Sequence, residues 1–385
     1  MPVKLNYLLY PFAASAQELP GFLFETASTV VASSGELKEK LLKVLKNIVE
    51  RGEVPTEVFK DPEESVLVYR AIVDVAGSLG DKRLISRIAL AYSKTSSRFL
   101  KDERDEVLVA LANRLGLRVK LEYVHPPCLP VVVERKRGTT IEFVPCTFAV
   151  PLLDYVKVVA QRLLHDPSYM LVNNIVHGGY VFLDKRVFRR ILEEYIYQYL
   201  QQECERVKPL STEEYARLLG ELKPIIGAIY SSTKEATSVS LEVRGEASTG
   251  VLVERFLPPC IRRIMDIVNS GGNPSHIERF NLAAFLGNLN LSVDEVLEYF
   301  RKTADFKERV ARYQVEHILG LRGGRKKYKP YNCDNMRATG LCPVSEQCPG
   351  GKNPLAVYKY NLRKAKRCPE GSGEGREVHE AAGGI

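Results

Sequence analysis

The sequence predicts a mostly α-helical protein with a small α/β element in its N-terminal half and a mainly helical C-terminal part. Three observations carry this expectation. Apolar residues recur at helical spacing through residues 33–114, as in Leu37, Leu41, Val44, Leu45 and Ile48. β-Branched and alternating runs are confined to about 117–183. Beyond residue 250 the apolar runs shorten and lie between Gly, Pro and Asn. The chain has 385 residues, enough for two or three domains, and 45% of them are hydrophobic, so it can bury real cores. No stretch of eighteen apolar residues occurs, and no membrane span is expected.

Residues 1–30 read as loosely structured or as short helices. The start, MPVKLNYLLYPFAASAQELPGF, mimics a secretion signal only weakly, because Asn6 and Pro11 break its apolar run. Ser33-x-x-Glu36 reads as a capping box that opens the first strongly periodic helix. Further helices are expected near 63–78, 82–99 and 104–114. LRVKLEYV (117–124), VVVE (131–134) and TTIEFVPC (139–146) read as strands, separated by Pro126, Pro127, Pro130 and the basic turn ERKRGT. VPLLDYVKVVAQRLL (150–164) reads as a helix, GGYVFL (178–183) as a strand, and 184–207 as a long helix. This places a helical plus small α/β domain at 1–210. Ser211-x-x-Glu214 caps a helix running to about Ser231, and small polar residues follow at 233–250, so 211–250 reads as helix and linker. Short helices are expected at 260–269, 276–288 and 292–302, the last opened by Ser292-x-x-Glu295. A tyrosine- and lysine-rich irregular region follows within a unit spanning 251–368, and the tail 369–385 is too poor in apolar residues to fold.

The eight cysteines divide into two sets. Cys128, Cys146 and Cys204 sit singly in strand and helix patterns, where a free cysteine fills core as a small hydrophobe. Cys333, Cys342 and Cys348 are spaced C-x8-C-x5-C among Gly, Pro, Asn and Asp, and Cys260 lies upstream in FLPPCIRRI. Loop cysteines so close together can aim several thiolates at one point. Four thiolates hold a [4Fe–4S] cubane or a tetrahedral zinc, and the spacing leaves both open, along with no metal at all. Cys368 competes for the fourth place.

The formal charge is +8 and the pI about 8.9, which favours a phosphate-rich partner. LRGGRKKYKPYN (321–332), with Arg325, Lys326 and Lys327, and YKYNLRKAKR (358–367) flank the cysteines and interleave cations with tyrosine. Arg262 and Arg263 stand beside Cys260. Cations neutralise phosphates and tyrosine faces stack on unpaired bases, a pattern that points to nucleic acid. A nucleotidyl-transfer site would need clustered carboxylates to hold two metal ions, and none is legible. Asp154, Asp166 and Asp184 are isolated and read as caps. There is no G-x-x-x-x-G-K-[ST], and the histidines make no H-E-x-x-H. The chain reads as one that binds and positions without catalysing alone.

FLPPCIRRIM, Tyr313-x-x-x-His317, GGRKKYKPYNC, GLCP and CPGGKNPL together resemble the large subunit of archaeal and eukaryotic DNA primase, over roughly 250–360. FAVPLLDYVKVVAQRLL and GYVFLDKRVFRRILEEYI are similar, more loosely, to the family's α/β portion, which lies in the region that binds the small catalytic subunit. The shorter spacing between cysteines is similar to the archaeal form. The resemblance implies a noncatalytic, regulatory subunit whose C-terminal [4Fe–4S] domain contacts single-stranded DNA template and the 5′ end of the RNA primer. It implies a cytoplasmic place in the nucleoid-associated replication machinery. By motif it implies Cys260, Cys333, Cys342 and Cys348 as cluster ligands. The eukaryotic pattern puts its last cysteine further downstream, which keeps Cys368 as a rival. His276 and Arg279 match an H-x-x-R helix motif. Tyr313 and His317 match a Y-N-x-R-H motif in which Gln314 and Glu316 replace Asn and Arg. Two other classes remain: a stand-alone zinc-stabilised nucleic-acid-binding protein, and an iron–sulfur enzyme. The C-x3-C-x2-C motif expected of radical chemistry is absent.

Overall fold

The computed structural model describes residues 3–15, 27–135, 138–164, 166–209, 213–234, 252–343 and 348–367. The Ser211 cap, the segment at 235–250, Cys368 and the tail lie outside these residues, as do the two turn residues 136–137.

The N-terminal helices follow the apolar spacing closely: α1 (Ala27–Ser33), α2 (Gly35–Arg51), α3 (Pro62–Leu79), α4 (Lys82–Leu100) and α5 (Asp105–Leu115). The cap of α2 falls one residue later than the expected Ser33. Only Ser34 separates the two helices, so the extended backbone of a cap sits there, and its hydroxyl accepts from Leu37 N. Asp61 and Asp81 cap α3 and α4 in the same way. Helix α3 is buried on most of its circumference, with Val68, Tyr69, Ile72 and Val75 almost fully enclosed. Ahead of α1, Tyr10, Phe12 and Ala13 are buried in a 3-10 turn, so part of the expected loose start belongs to the core.

The α/β element is larger than the sequence suggests. Strands β1 (Lys120–Leu121), β2 (Cys128–Arg135), β3 (Gly138–Pro145) and β4 (Phe148–Pro151) precede α6 (Leu152–Arg162). Strands β5 (Ile175–His177) and β6 (Tyr180–Leu183) form a tight hairpin across Gly178 and Gly179, both at positive φ. The main sheet is antiparallel in the order β1-β4-β6-β5, with Phe148 opposite Leu183 and Val150 opposite Val181. The run 117–124 contributes only two strand residues. Pro130 lies inside β2 rather than between strands, because β2 and β3 pair only with each other and both outer edges are free. Cys128 is exposed on that hairpin, against the core role expected of it, while Cys146 and Cys204 are buried.

Helix α7 (Lys185–Glu205) lies under the sheet and along α4, with Asp184 as its cap and Phe188 stacked on Phe148 at 4.3 Å between centroids. Helix α8 (Glu213–Lys234) packs on α1 and α2 through Tyr215, Leu218, Leu222 and Ile226. One hydrophobic cluster therefore runs from Leu5 to Ile229.

A second cluster spans Leu257 to Tyr358. It is built from α9 (Pro259–Asn269), α10 (His276–Asn288), α11 (Val293–Arg301), α12 (Glu308–Ile318), α13 (Cys333–Ala338) and α14 (Pro354–Arg367). The last three occupy much of the region read as irregular. Ser292 and Glu295 form the expected capping box, and Ser275 with Glu278 forms a second. The two units meet where Ala304 enters the N-terminal cluster, Arg83 donates to Asn269 O at 3.3 Å, and Lys94 lies 3.9 Å from Asp305.

Gly77 on α3 permits the close approach of the end of α7. A Cβ there would fall 2.3 Å from Cys204 O and 2.5 Å from Val207 Cβ. Gly77→Ala is expected to destabilise the N-terminal unit by about 1–3 kcal/mol through overpacking. Chemical denaturation followed by far-UV circular dichroism measures it, and an unchanged midpoint would contradict this packing.

Candidate cysteine centre and nucleic-acid interface

Cys260 is the second residue of α9, behind Pro258 and Pro259, whose fixed φ starts the helix. Cys333 opens α13 after the cap Asn332, which accepts from Asn335 N at 2.7 Å. At the end of α13, Gly340 takes φ 68, and Leu341 N and Cys342 N both bond back to Met336 O. That turn folds Cys342 under α13 and toward α9. Arg263 Nη1 reaches Gly340 O at 3.2 Å and ties α9 to the same turn. Cys260, Cys333, Cys342 and Cys348 line one enclosed cavity of about 30 Å³, together with Pro258, Met336 and Val357. Sequence spacing alone does not say that Cys260 joins the other three; here the fold brings it to them.

The surroundings disfavour bare thiolates. Burial pushes the Cys260 thiol up to about 12, and the neighbouring Cys342, Cys333 and Cys348 push the same way. Cys333 is raised by burial first and then by Cys348. Four soft donors that repel one another as anions are suited to a cationic, thiophilic centre in the space between them. Among the described residues, no group of three or more His, Cys, Asp or Glu side chains stands as a metal-ion site. The cysteines that line the cavity are thiol donors, the type that holds iron–sulfur clusters and structural zinc alike.

The second feature is an open pocket of about 360 Å³ in the same C-terminal unit. It brings together His276, Arg279, Tyr313 and His317 with Phe280 and Tyr328. Tyr313 is 58% exposed at the rim. Glu316 is not a free acid: it accepts from Arg322 Nε, whose guanidinium lies 5.6 Å from the Tyr313 ring centroid. Gln314 also lines the pocket.

The remaining expected contacts sort differently. Arg279 is committed within the fold: Nε donates to Pro274 O, and Nη2 donates to Asn273 Oδ1 and to Asp305 Oδ1 at 2.6 Å. Arg262 donates to Arg255 O at 2.8 Å. Arg325, at φ 51, Lys326 and Lys327 are exposed on the segment leading to Cys333. Several tyrosines of the basic runs are structural. Tyr328 and Tyr331 pack on Phe280, and buried Tyr358 packs edge-on to Phe285 and accepts from Val253 N.

Three residues that set this geometry were not singled out from sequence. Asn281, fully buried, accepts from Tyr331 N at 2.8 Å, and Asn288 donates to Tyr328 O at 2.7 Å. Gly320 at φ 78 admits the returning chain, since a Cβ there would lie 2.8 Å from Lys327 N. Two asparagines on one apolar helix are the signal that could have marked them, because a buried amide needs partners.

Residues 250–368 match the family described as the C-terminal domain of the eukaryotic and archaeal DNA primase large subunit. The DNA primase large subunit of Methanococcoides burtonii is 28% identical over 387 residues, covering 96% of this chain and 95% of that protein. That of Methanosarcina barkeri is 25% identical over 361 residues, covering 92% and 78%. That of Thermoplasma acidophilum is 33% identical over 205 residues, covering 52% and 57%. The family match takes in Cys260, the aromatic pocket and the three later cysteines, and the similarity to the archaeal proteins extends through the N-terminal unit, so the chain belongs with the large subunits of archaeal-type DNA primase.

Proposed function

We propose that this chain is the noncatalytic, regulatory subunit of a DNA primase, acting in DNA replication. In this reading it stabilises a small catalytic subunit through its α/β element. Its C-terminal unit, 251–368, holds a [4Fe–4S] cluster and binds single-stranded template and the primer's 5′ end. The observation that carries the reading is the single cavity lined by Cys260, Cys333, Cys342 and Cys348, in the same unit as a pocket lined by Tyr313 and His317. No helix among the described residues is long and apolar enough to cross a membrane, and the proposed place of action is the cytoplasmic replication machinery.

When bound, a cluster would supply a cationic centre that keeps the four cysteines as thiolates and staples α9 to the α13 turn. The chain's own residues do the rest. Asn281 and Asn288 hold the segment that carries Lys326 and Lys327, so those cations keep a fixed position relative to the pocket. Tyr313 offers an exposed ring face for an unpaired base. His276 and His317 stand on the pocket wall within reach of a sugar or phosphate oxygen. Nucleotide joining belongs to the small partner.

Cys333→Ser is expected to remove the broad visible absorption of anaerobically purified protein and to abolish primer initiation by the assembled heterodimer. Co-purification with the small catalytic partner should survive, since the α/β element lies in the other unit. A variant that keeps both colour and initiation would overturn the ligand assignment. A colourless wild type that contains stoichiometric zinc would favour the stand-alone zinc-stabilised nucleic-acid-binding protein.

Tyr313→Ala should weaken single-strand binding by about 1–3 kcal/mol, the worth of one base stacked on an aromatic ring. His317→Ala should add to that loss. Fluorescence anisotropy with a labelled oligonucleotide measures both, and affinities equal to wild type would exclude the pocket as a base site.

A further inference from the structure

Resting on that nucleic-acid reading, we propose that the strand path continues from the aromatic pocket across the seam between the units onto the N-terminal unit, where Lys94, Arg98, Lys101 and Arg189 hold the sugar–phosphate backbone of a single strand.

The geometry points to it through three adjoining cavities. The aromatic pocket shares His276, Arg279 and Gln314 with a larger cleft of about 770 Å³ between the units. That cleft is walled by Arg162, Arg190, Asp166 and Glu193 on the N-terminal side and by Lys307 and Asp305 on the C-terminal side. It shares Lys94 and Glu193 with a third, wide-open depression of about 340 Å³ on the N-terminal face. The depression is lined by Lys94, Arg98, Lys101 and Arg189 against one carboxylate, Glu193. One continuous groove therefore runs from apolar and aromatic walls to a basic floor, the combination that tracks single-stranded nucleic acid.

The charges on this floor are poorly compensated from within. Glu193 is already used by Ser97 Oγ at 2.7 Å and by Arg190 at 3.4 Å. Arg98 has Glu53 at 3.3 Å on the outer side. Lys94 reaches its nearest carboxylate, Asp305, only at 3.9 Å, and that carboxylate is shared with Arg279. Lys101 and Arg189 make no ion pair among the described residues, and Arg189 Nε is buried without a hydrogen-bond partner. Burial and the nearby Arg162 and Lys307 lower the Lys94 ammonium, although Asp305 and Glu193 oppose this. A row of phosphates would relieve that repulsion. Lys94 and Arg98 on α4 and Lys101, the C-cap that follows it in helical backbone, fall at i, i+4 and i+7 and share one face.

The test uses the full chain and two single-stranded DNA probes of the same composition with 5′-hydroxyl ends, about 6 and about 20 nucleotides long, spanning the range of single-strand site sizes. Wild type should bind the longer strand much more tightly. Lys94→Gln, Lys101→Gln and Arg189→Gln together should remove about tenfold of that advantage, with short-strand affinity within about twofold of wild type. They should also make the salt dependence for the long strand shallower by about 2 in log–log slope, three phosphates at about 0.7 each. Lys101→Glu alone, at an exposed position, gives the same direction if the triple variant folds poorly. Long-strand affinity and slope equal to wild type in these variants would overturn the path while leaving the aromatic pocket intact. A wild type that binds neither strand would overturn the nucleic-acid reading, and the path with it.

Discussion

The C-terminal unit depends on one helix that is buried almost all round. Between His276 and Asn288, α10 encloses Leu282, Ala283, Ala284, Phe285 and Leu286, and nearly every neighbouring segment is pinned to it. Arg279 gathers the 273–274 and 303–305 loops. Asn281 and Asn288 receive the basic segment at Tyr331 and Tyr328, and Phe285 receives α14 through Tyr358. Buried polar groups are costly unless every partner is present, so this set specifies one arrangement rather than merely adding stability. Tyr331 stands two residues before Cys333, which means that the position of the cysteine centre is inherited from α10.

The seam between the units follows an electrostatic logic of its own. Helix α4 presents Arg83, Arg87 and Lys94 toward the C-terminal unit; Arg83 donates to Asn269 O, and Asp305 is the carboxylate that faces Arg87 and Lys94. The same carboxylate neutralises Arg279, so one acidic side chain links the scaffold of α10 to the surface of α4. Burial lowers the Arg87 guanidinium while Asp305 opposes that shift.

Much of the fold was legible because amphipathic helices carry their own signature. The helices at 62–79, 82–100, 105–115 and 185–205 came close to their expected bounds. Strands fared worse. Leu117 to Val124 alternate like a strand, yet just two residues pair with β4, and the ladder closes with Glu122 N donating to Thr147 O. Helix α12 was missed because its buried positions, Val315 and Ile318, are few and its outer face is charged. The tyrosines were over-read as stacking surfaces: Tyr328, Tyr331 and Tyr358 pack against rings of α10, while Tyr313 stays at a pocket rim. A tyrosine beside a lysine looks the same in sequence whether its ring faces a core or water.

The sequence by itself determined the mostly helical class and the placing of three cysteines between basic flanks, because local spacing and composition encode them. Tertiary structure alone decided the rest. Cys260 meets cysteines more than seventy residues later because α9 and the α13 turn are docked by Arg263 and the shared apolar cluster. Arg279 became a structural tie rather than an open contact because Asp305 and Asn273 reach it across loops. Which cations face a common groove depends on how two separately formed cores abut, and no local pattern in the chain records that contact.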